Sequence, residues 1–132
     1  MSATPSPGAP KKPEIRFHIR DHDHPHELAI GPGKVALLEA IGETGSITSS
    51  ARKLGMSYRR AWLLVEETNR CLARPAVETA SGGEHGGGTS LTPAGVELVR
   101  RYRALERRIE LEVTRKLKPL LRTLPRGAKA AK

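Results

Sequence analysis

A chain of 132 residues that is 37% hydrophobic but only 3% aromatic suits one small domain with an aliphatic core. Its 23 basic side chains against 14 acidic ones leave a formal charge of +9, which favours polyanions over acidic or neutral partners. No run approaches the roughly 18 consecutive apolar residues of a membrane span, and the start lacks the apolar stretch of a secretion signal, so a cytoplasmic protein with no membrane contact is expected.

Residues 1–14 are rich in Pro, Ser, Ala and Lys and are expected to form a disordered tail. Ile15, Phe17 and Ile19 then alternate with Arg16, His18 and Arg20, the period of a half-buried strand. Glu27 to Ile30 is expected to pair back against it or against a later hairpin. Between them, HIRDHDHPHE gathers His18, His22, His24 and His26 with Asp21 and Asp23. Imidazole is a common ligand for zinc, nickel and copper, which makes His22, His24 and His26 candidate metal ligands. Against this, alternating side chains point apart, no cysteine joins the set and Pro25 marks a turn. A solvated polar loop is the expected state, and no cofactor is assigned.

Pro32 suits the first position of a helix running to about Thr44, with Val35, Leu38 and Ile41 facing inward and Gly45 ending it. Ser46 is a preferred N-cap for a short helix carrying Ile47, Ala51 and Leu54 on one face. Gly55 breaks that helix, and Ser57 caps a second whose buried stripe is Ala61, Val65, Thr68 and Leu72. The pattern is a helix-turn-helix, with a core expected to bury Leu37 or Leu38, Ile41, Ile47, Leu54, Leu64 and Val65.

Helices of this kind meet DNA with the start of the second helix, which here presents Tyr58, Arg59, Arg60 and Trp62. Ser57 and Tyr58 suit phosphate or sugar. One of Arg59 and Arg60 is expected on guanine O6 and N7 and the other on phosphate, in an order the spacing leaves open. Trp62 has two readings: packing on the first motif helix or the hairpin, or contact with a thymine methyl. Arg52 and Lys53 lie toward the DNA backbone. Cys71, the single cysteine, has no internal disulfide partner, in keeping with a reducing compartment. It reads as a small core residue, with a redox-sensitive thiol as the alternative, and carries no assigned role.

Ala76–Ala80 and Thr89–Leu91 read as two short strands joined by a glycine-rich loop, Gly82 to Gly88. In that wing Gly83, His85, Gly86 and Gly87 are candidate DNA contacts, because a backbone without side chains approaches phosphate or the minor groove closely. Glu84 is expected to turn away. The loop joins strands and is followed by no Lys-Ser or Lys-Thr, which disfavours a nucleotide site. Residues 15–91 thus form a winged helix-turn-helix domain.

Thr92 and Pro93 restart a helix over 92–118 in which Leu98, Tyr102, Leu105, Ile109, Val113 and Leu117 recur every three or four residues, opposite an arginine-rich face. At 1.5 Å per residue it extends roughly 40 Å, longer than one small domain covers, so these residues are expected to form the interface of a homodimer. Pro119 should end it near Lys118. Residues 119–132 form a basic tail.

The fold class is therefore mainly α with a small β wing, a winged helix-turn-helix plus a long C-terminal dimerisation helix. No nucleophile–base constellation or established metal spacing accompanies it, so an enzyme is not expected. The expected partner is double-stranded DNA. Two alternatives are a nucleoid-type protein that coats DNA without choosing sites and a metal-sensing regulator using the histidine-rich loop. RNA ranks lower because an aromatic stacking platform is missing.

The segments GSITSSARKLGMSYRRAW and ETASGGEHGGGTSLTPAG, with the arginine-rich helix after them, resemble the DNA-binding domain of the ModE family, molybdate-responsive bacterial transcription regulators with a winged helix related to LysR-type regulators. The resemblance covers about Ile15 to Leu117. It implies a homodimer on a palindromic operator, with recognition helices in successive major grooves, the long helix at the dimer interface and a link to molybdate or tungstate homeostasis. The regulator that names the family carries C-terminal β-rich molybdate-binding domains, whereas this sequence stops soon after the long helix. Direct oxyanion binding is therefore not supported, and control by abundance, by a separate oxyanion-binding protein or by another ligand is expected.

Overall fold

The computed structural model describes residues 14–20, 22–23, 28–80 and 88–121. The chain divides into two compact units, Arg16–Ala104 and a second whose described residues are 14–15 and 105–121.

In the first unit, strand β1 (Ile19–Arg20) pairs antiparallel with β2 (Leu28–Ile30), so the segment before α1 turns back on the first strand. The paired part of the first strand is shorter than the expected 15–20. The expected alternation holds only before it, with Phe17 half-buried and Arg16 and His18 exposed, and fails within it, where Ile19 and Arg20 are both exposed. Helix α1 (Pro32–Thr44), helix α2 (Ile47–Leu54) and helix α3 (Tyr58–Cys71) follow. Their ends are made locally. Ser46 Oγ accepts the Ser49 N–H at 3.0 Å and Ser57 Oγ accepts the Arg60 N–H at 3.1 Å. Between α2 and α3, Gly55 takes φ 72°, a left-handed conformation that a Cβ would penalise.

Strand β3 (Val77–Thr79) pairs antiparallel with β4 (Thr89–Leu91), placing Val77 opposite Leu91 and Thr79 opposite Thr89. Helix α4 runs from Pro93 to Leu117 and gives way to a 3₁₀ turn, Lys118–Leu120, at Pro119. This is a winged-helix-like domain followed by a long C-terminal helix. No helix among the described residues is long and apolar enough to cross a membrane.

The core is built from Leu37, Leu38 and Ile41 of α1, Ile47 and Ala51 of α2, Ala61 and Val65 of α3, and Ala76 and Val77 at β3. Both leucines are buried, where one was expected. Leu54 corrects the expected core: it is 37% exposed, because α2 stops at that residue and Met56, beyond the turn, packs against the core instead. Buried polar side chains are satisfied. Thr68 Oγ1 donates to Leu64 O at 2.7 Å, and the buried Lys34 ammonium contacts Ala29 O at 3.3 Å and Glu67 at 3.2 Å.

A second cluster joins Ile30, Val35 and Tyr102. The Tyr102 ring stacks on Phe17 with centroids 4.2 Å apart, and its hydroxyl donates to Phe17 O at 2.5 Å. Tyr102, expected at a dimer interface, is 2% exposed, and Leu98 is half-buried against both clusters. The first turns of α4 spend their apolar face within the same chain, where Phe17 of the N-terminal segment covers Tyr102.

Residues 75–77 tie α3, β4 and α4 together. Asn69 of α3 accepts the N–H groups of Ala76 and Val77 at 2.8 and 3.1 Å and donates to Val77 O at 3.1 Å. Ala76 O accepts Thr92 N–H at 2.9 Å, and Thr92 Oγ1 caps α4 at Gly95 N while donating to Pro75 O. A Cβ on Gly95 would lie 2.2 Å from Ala76 O, so this approach requires glycine. Farther along α4, the Arg103 guanidinium forks onto Glu39 of α1 at 2.9 and 2.7 Å.

In the second unit, the α4 surface beyond Ala104 leaves Leu105, Leu111 and Leu117 exposed, while Ile109 and Val113 are half-buried. Glu112 pairs with Arg115 and Lys116.

Two stability outcomes are expected. Replacing Asn69 by Ala strands two N–H groups of buried residues and should cost about 2 to 4 kcal/mol in urea unfolding. The Arg103 guanidinium holds the Glu39 carboxyl below its ordinary value of 4.5, chiefly by hydrogen bonding. A depressed native pKa contributes stability above the unfolded value that is lost as pH falls through the native one. Glu39→Gln should therefore destabilise by less than about 1 kcal/mol at pH 7, since the pair is partly exposed, and the gap to the unaltered protein should close as unfolding is repeated below pH 4.5.

Candidate nucleic-acid interface

Helix α3 is held by Ala61, Val65 and Thr68, all nearly inaccessible. At about 100° per residue, Arg59, Leu63 and Arg70 fall on the side opposite that stripe. Arg60 lies about 70° to one flank of this pole and Trp62 about 90° to the other. The accessibilities agree: Arg59, Arg60 and Arg70 are exposed, and Tyr58, Trp62 and Leu63 are 54%, 44% and 41% exposed. Trp62 is thus partly covered and partly open to solvent. The Ser57 hydroxyl is engaged as the α3 cap, with its own proton left to donate.

The start of α3 is an electropositive end. Free N–H groups and the helix dipole add partial positive charge to Arg59 and Arg60, while the acidic residues of α3, Glu66 and Glu67, come later in the helix. On α2, Arg52 and Lys53 are exposed. Lys53 forms an ion pair with Glu43, a solvent-exposed contact that costs little to open.

Strands β3 and β4 carry the base of the hairpin, and Ala80 N–H donates to Gly88 O at 2.8 Å. Gly83, His85, Gly86 and Gly87 lie outside the described residues, as do His24 and His26. His22 is exposed, and no group of three or more metal-ligating side chains occurs among the described residues.

Cys71 corrects the expected core position, because it is exposed at the end of α3. Its single S–H has two carbonyl acceptors in reach, Ala29 O at 3.3 Å and Thr68 O at 3.2 Å, and partial burial of the thiol pushes its pKa up. Both effects favour the unreactive protonated form.

Leu63 is the surface residue that hydrophobic periodicity hides, since an isolated apolar side chain is read as core. Its signal is angular: it lies two residues from both Ala61 and Val65, about 200° round the helix from each.

No protein-family model matches the chain. Among curated proteins, it is 52% identical over 77 residues to the molybdenum-pterin-binding protein MopB of Rhodobacter capsulatus, covering 58% of this chain and 28% of that one. It is 46% identical over 90 residues to the molybdenum transport protein ModE of Herbaspirillum seropedicae, covering 68% and 33%. With the DNA-binding transcriptional dual regulator ModE of Escherichia coli strain K12 it shares 38% identity over 76 residues, 58% of this chain and 29% of that one. The match thus spans about a third or less of each relative's length. Over the matched segment, the chain is similar to proteins named ModE and MopB.

Proposed function

We propose that this chain is a sequence-specific, double-stranded DNA-binding transcription regulator that acts as a homodimer on a palindromic operator and serves molybdate or tungstate homeostasis. The observation that carries the reading is the solvent-facing start of α3, where Tyr58, Arg59, Arg60 and Trp62 stand exposed on a helix locked into the core by Ala61 and Val65. Relatives named as DNA-binding transcriptional regulators and as molybdenum transport proteins support the regulatory role and its link to molybdenum. Direct oxyanion binding by this chain forms no part of the reading.

In this reading α3 enters the major groove. Arg59, near the outward pole, forks onto guanine O6 and N7, and Arg60, on the flank, meets phosphate. Ser57, Tyr58, Arg52 and Lys53 approach the sugar–phosphate backbone, Trp62 lines the groove wall, and the wing residues Gly83, His85, Gly86 and Gly87 make a second contact beside it. Tyr102 is withdrawn from the dimer seam by its burial, and Leu98 by its packing. The seam is then Leu105, Ile109, Val113 and Leu117, with Leu105 46% and Leu117 44% exposed. Two-fold pairing along such helices presents half-sites about one helical turn apart.

The two arginines should separate in fluorescence anisotropy against a selected operator and a scrambled duplex. Arg59→Ala should lose about 1 to 3 kcal/mol on the operator alone, whereas Arg60→Ala should weaken both duplexes alike and reduce the salt slope by about one unit. Equal operator affinity for the double variant and the unaltered protein removes the assignment. For assembly, Leu105→Glu with Ile109→Glu should sediment as a monomer with its helical circular dichroism retained. A dimer persisting at the same concentration rules out the seam.

A further inference from the structure

We infer that Leu63 reads a thymine methyl group, so that each half-site carries one thymine selected by an apolar contact beside the Arg59 base contact. This deepens the DNA-binding reading and rests on it.

Leu63 is 41% exposed, while Leu37 and Leu38 of the same unit are 1% exposed. It lies one turn beyond Arg59 and two turns before Arg70, on the side of α3 that points directly away from Ala61 and Val65. A helix that inserts this side into a groove carries Leu63 to its deepest point. The occupant follows from the surroundings. Two exposed guanidinium groups, Arg59 and Arg60, lie one turn before the leucine on its own helix, and such a pair matches a polyanion. On the floor of the major groove of a polyanionic duplex, the apolar group within reach of a side chain is the C5-methyl of thymine.

The neighbours on α3 restrict the contact further. Trp62 projects about 100° away, toward the groove wall, and leaves the methyl to Leu63. Glu66 and Glu67 occupy the third turn, where carboxylates oppose approach to phosphate, and Glu67 is drawn to Lys34 at 3.2 Å. Insertion therefore engages the first two turns, and within them Leu63 is the exposed aliphatic side chain.

The test uses the full chain and a duplex recovered by selection from a randomised library, with each thymine replaced in turn by deoxyuridine. That exchange deletes the methyl and keeps the base pairing. The unaltered protein should bind about fourfold more weakly at one such position per half-site, the effect of one buried methyl-sized group. Leu63→Ala should bind the thymine and deoxyuridine duplexes equally at that position, while Trp62→Ala retains the full fourfold difference. Indifference of the unaltered protein to every exchange overturns the inference, as does a Leu63→Ala variant that keeps the same loss. If the unaltered protein holds a scrambled duplex as tightly as the selected one, the regulator reading fails together with it.

Discussion

The folded body depends on how closely the chain crosses itself at Ala76. Three backbone groups of Ala76 and Val77 are claimed by the Asn69 amide, Ala76 O receives Thr92 N–H, and α4 starts so near that Gly95 has no room for a Cβ. Edge groups of a strand this short would otherwise be stranded in a buried place, where each orphan costs more than a formed hydrogen bond contributes. A single polar side chain near the end of α3 thus secures the wing to the helix-turn-helix. A single absent methyl then lets α4 begin directly beneath.

That crossing also explains why the start of α3 stays free. Small or β-branched residues hold the helix from behind, Ala51 and Ala61 allowing α2 and α3 to cross tightly, and its late residue Asn69 is anchored through β3. The first two turns need no further support, so their large side chains remain in solvent. Tyr58, Trp62 and Leu63 stand exposed beside Arg59 and Arg60, at a hydration cost for their apolar surface.

Much of the architecture was legible because its determinants act within a few residues. Ser46, Ser57 and Thr92 cap the helices they precede, Gly55 supplies the left-handed turn, and Pro119 ends α4. Burial was less legible. Leu54 lies on the apolar stripe of α2 yet is exposed where the helix ends, and Tyr102 continues the stripe of α4 yet is claimed by Phe17, 85 residues away in sequence. Periodicity marks the side of a helix that prefers cover and is silent about which segment provides it.

From its residues alone, the chain determined the order of its elements, their ends and the basic character of α3, since capping, turn geometry and charge are properties of neighbours along the backbone. The tertiary structure decided which apolar side chains are hidden and which are offered. It gave Tyr102 to the N-terminal segment, bound Arg103 to Glu39, and left Trp62 and Leu63 in solvent beside Arg59. Those outcomes turn on encounters between distant segments, and side-chain burial takes its value from the surface that arrives to cover it.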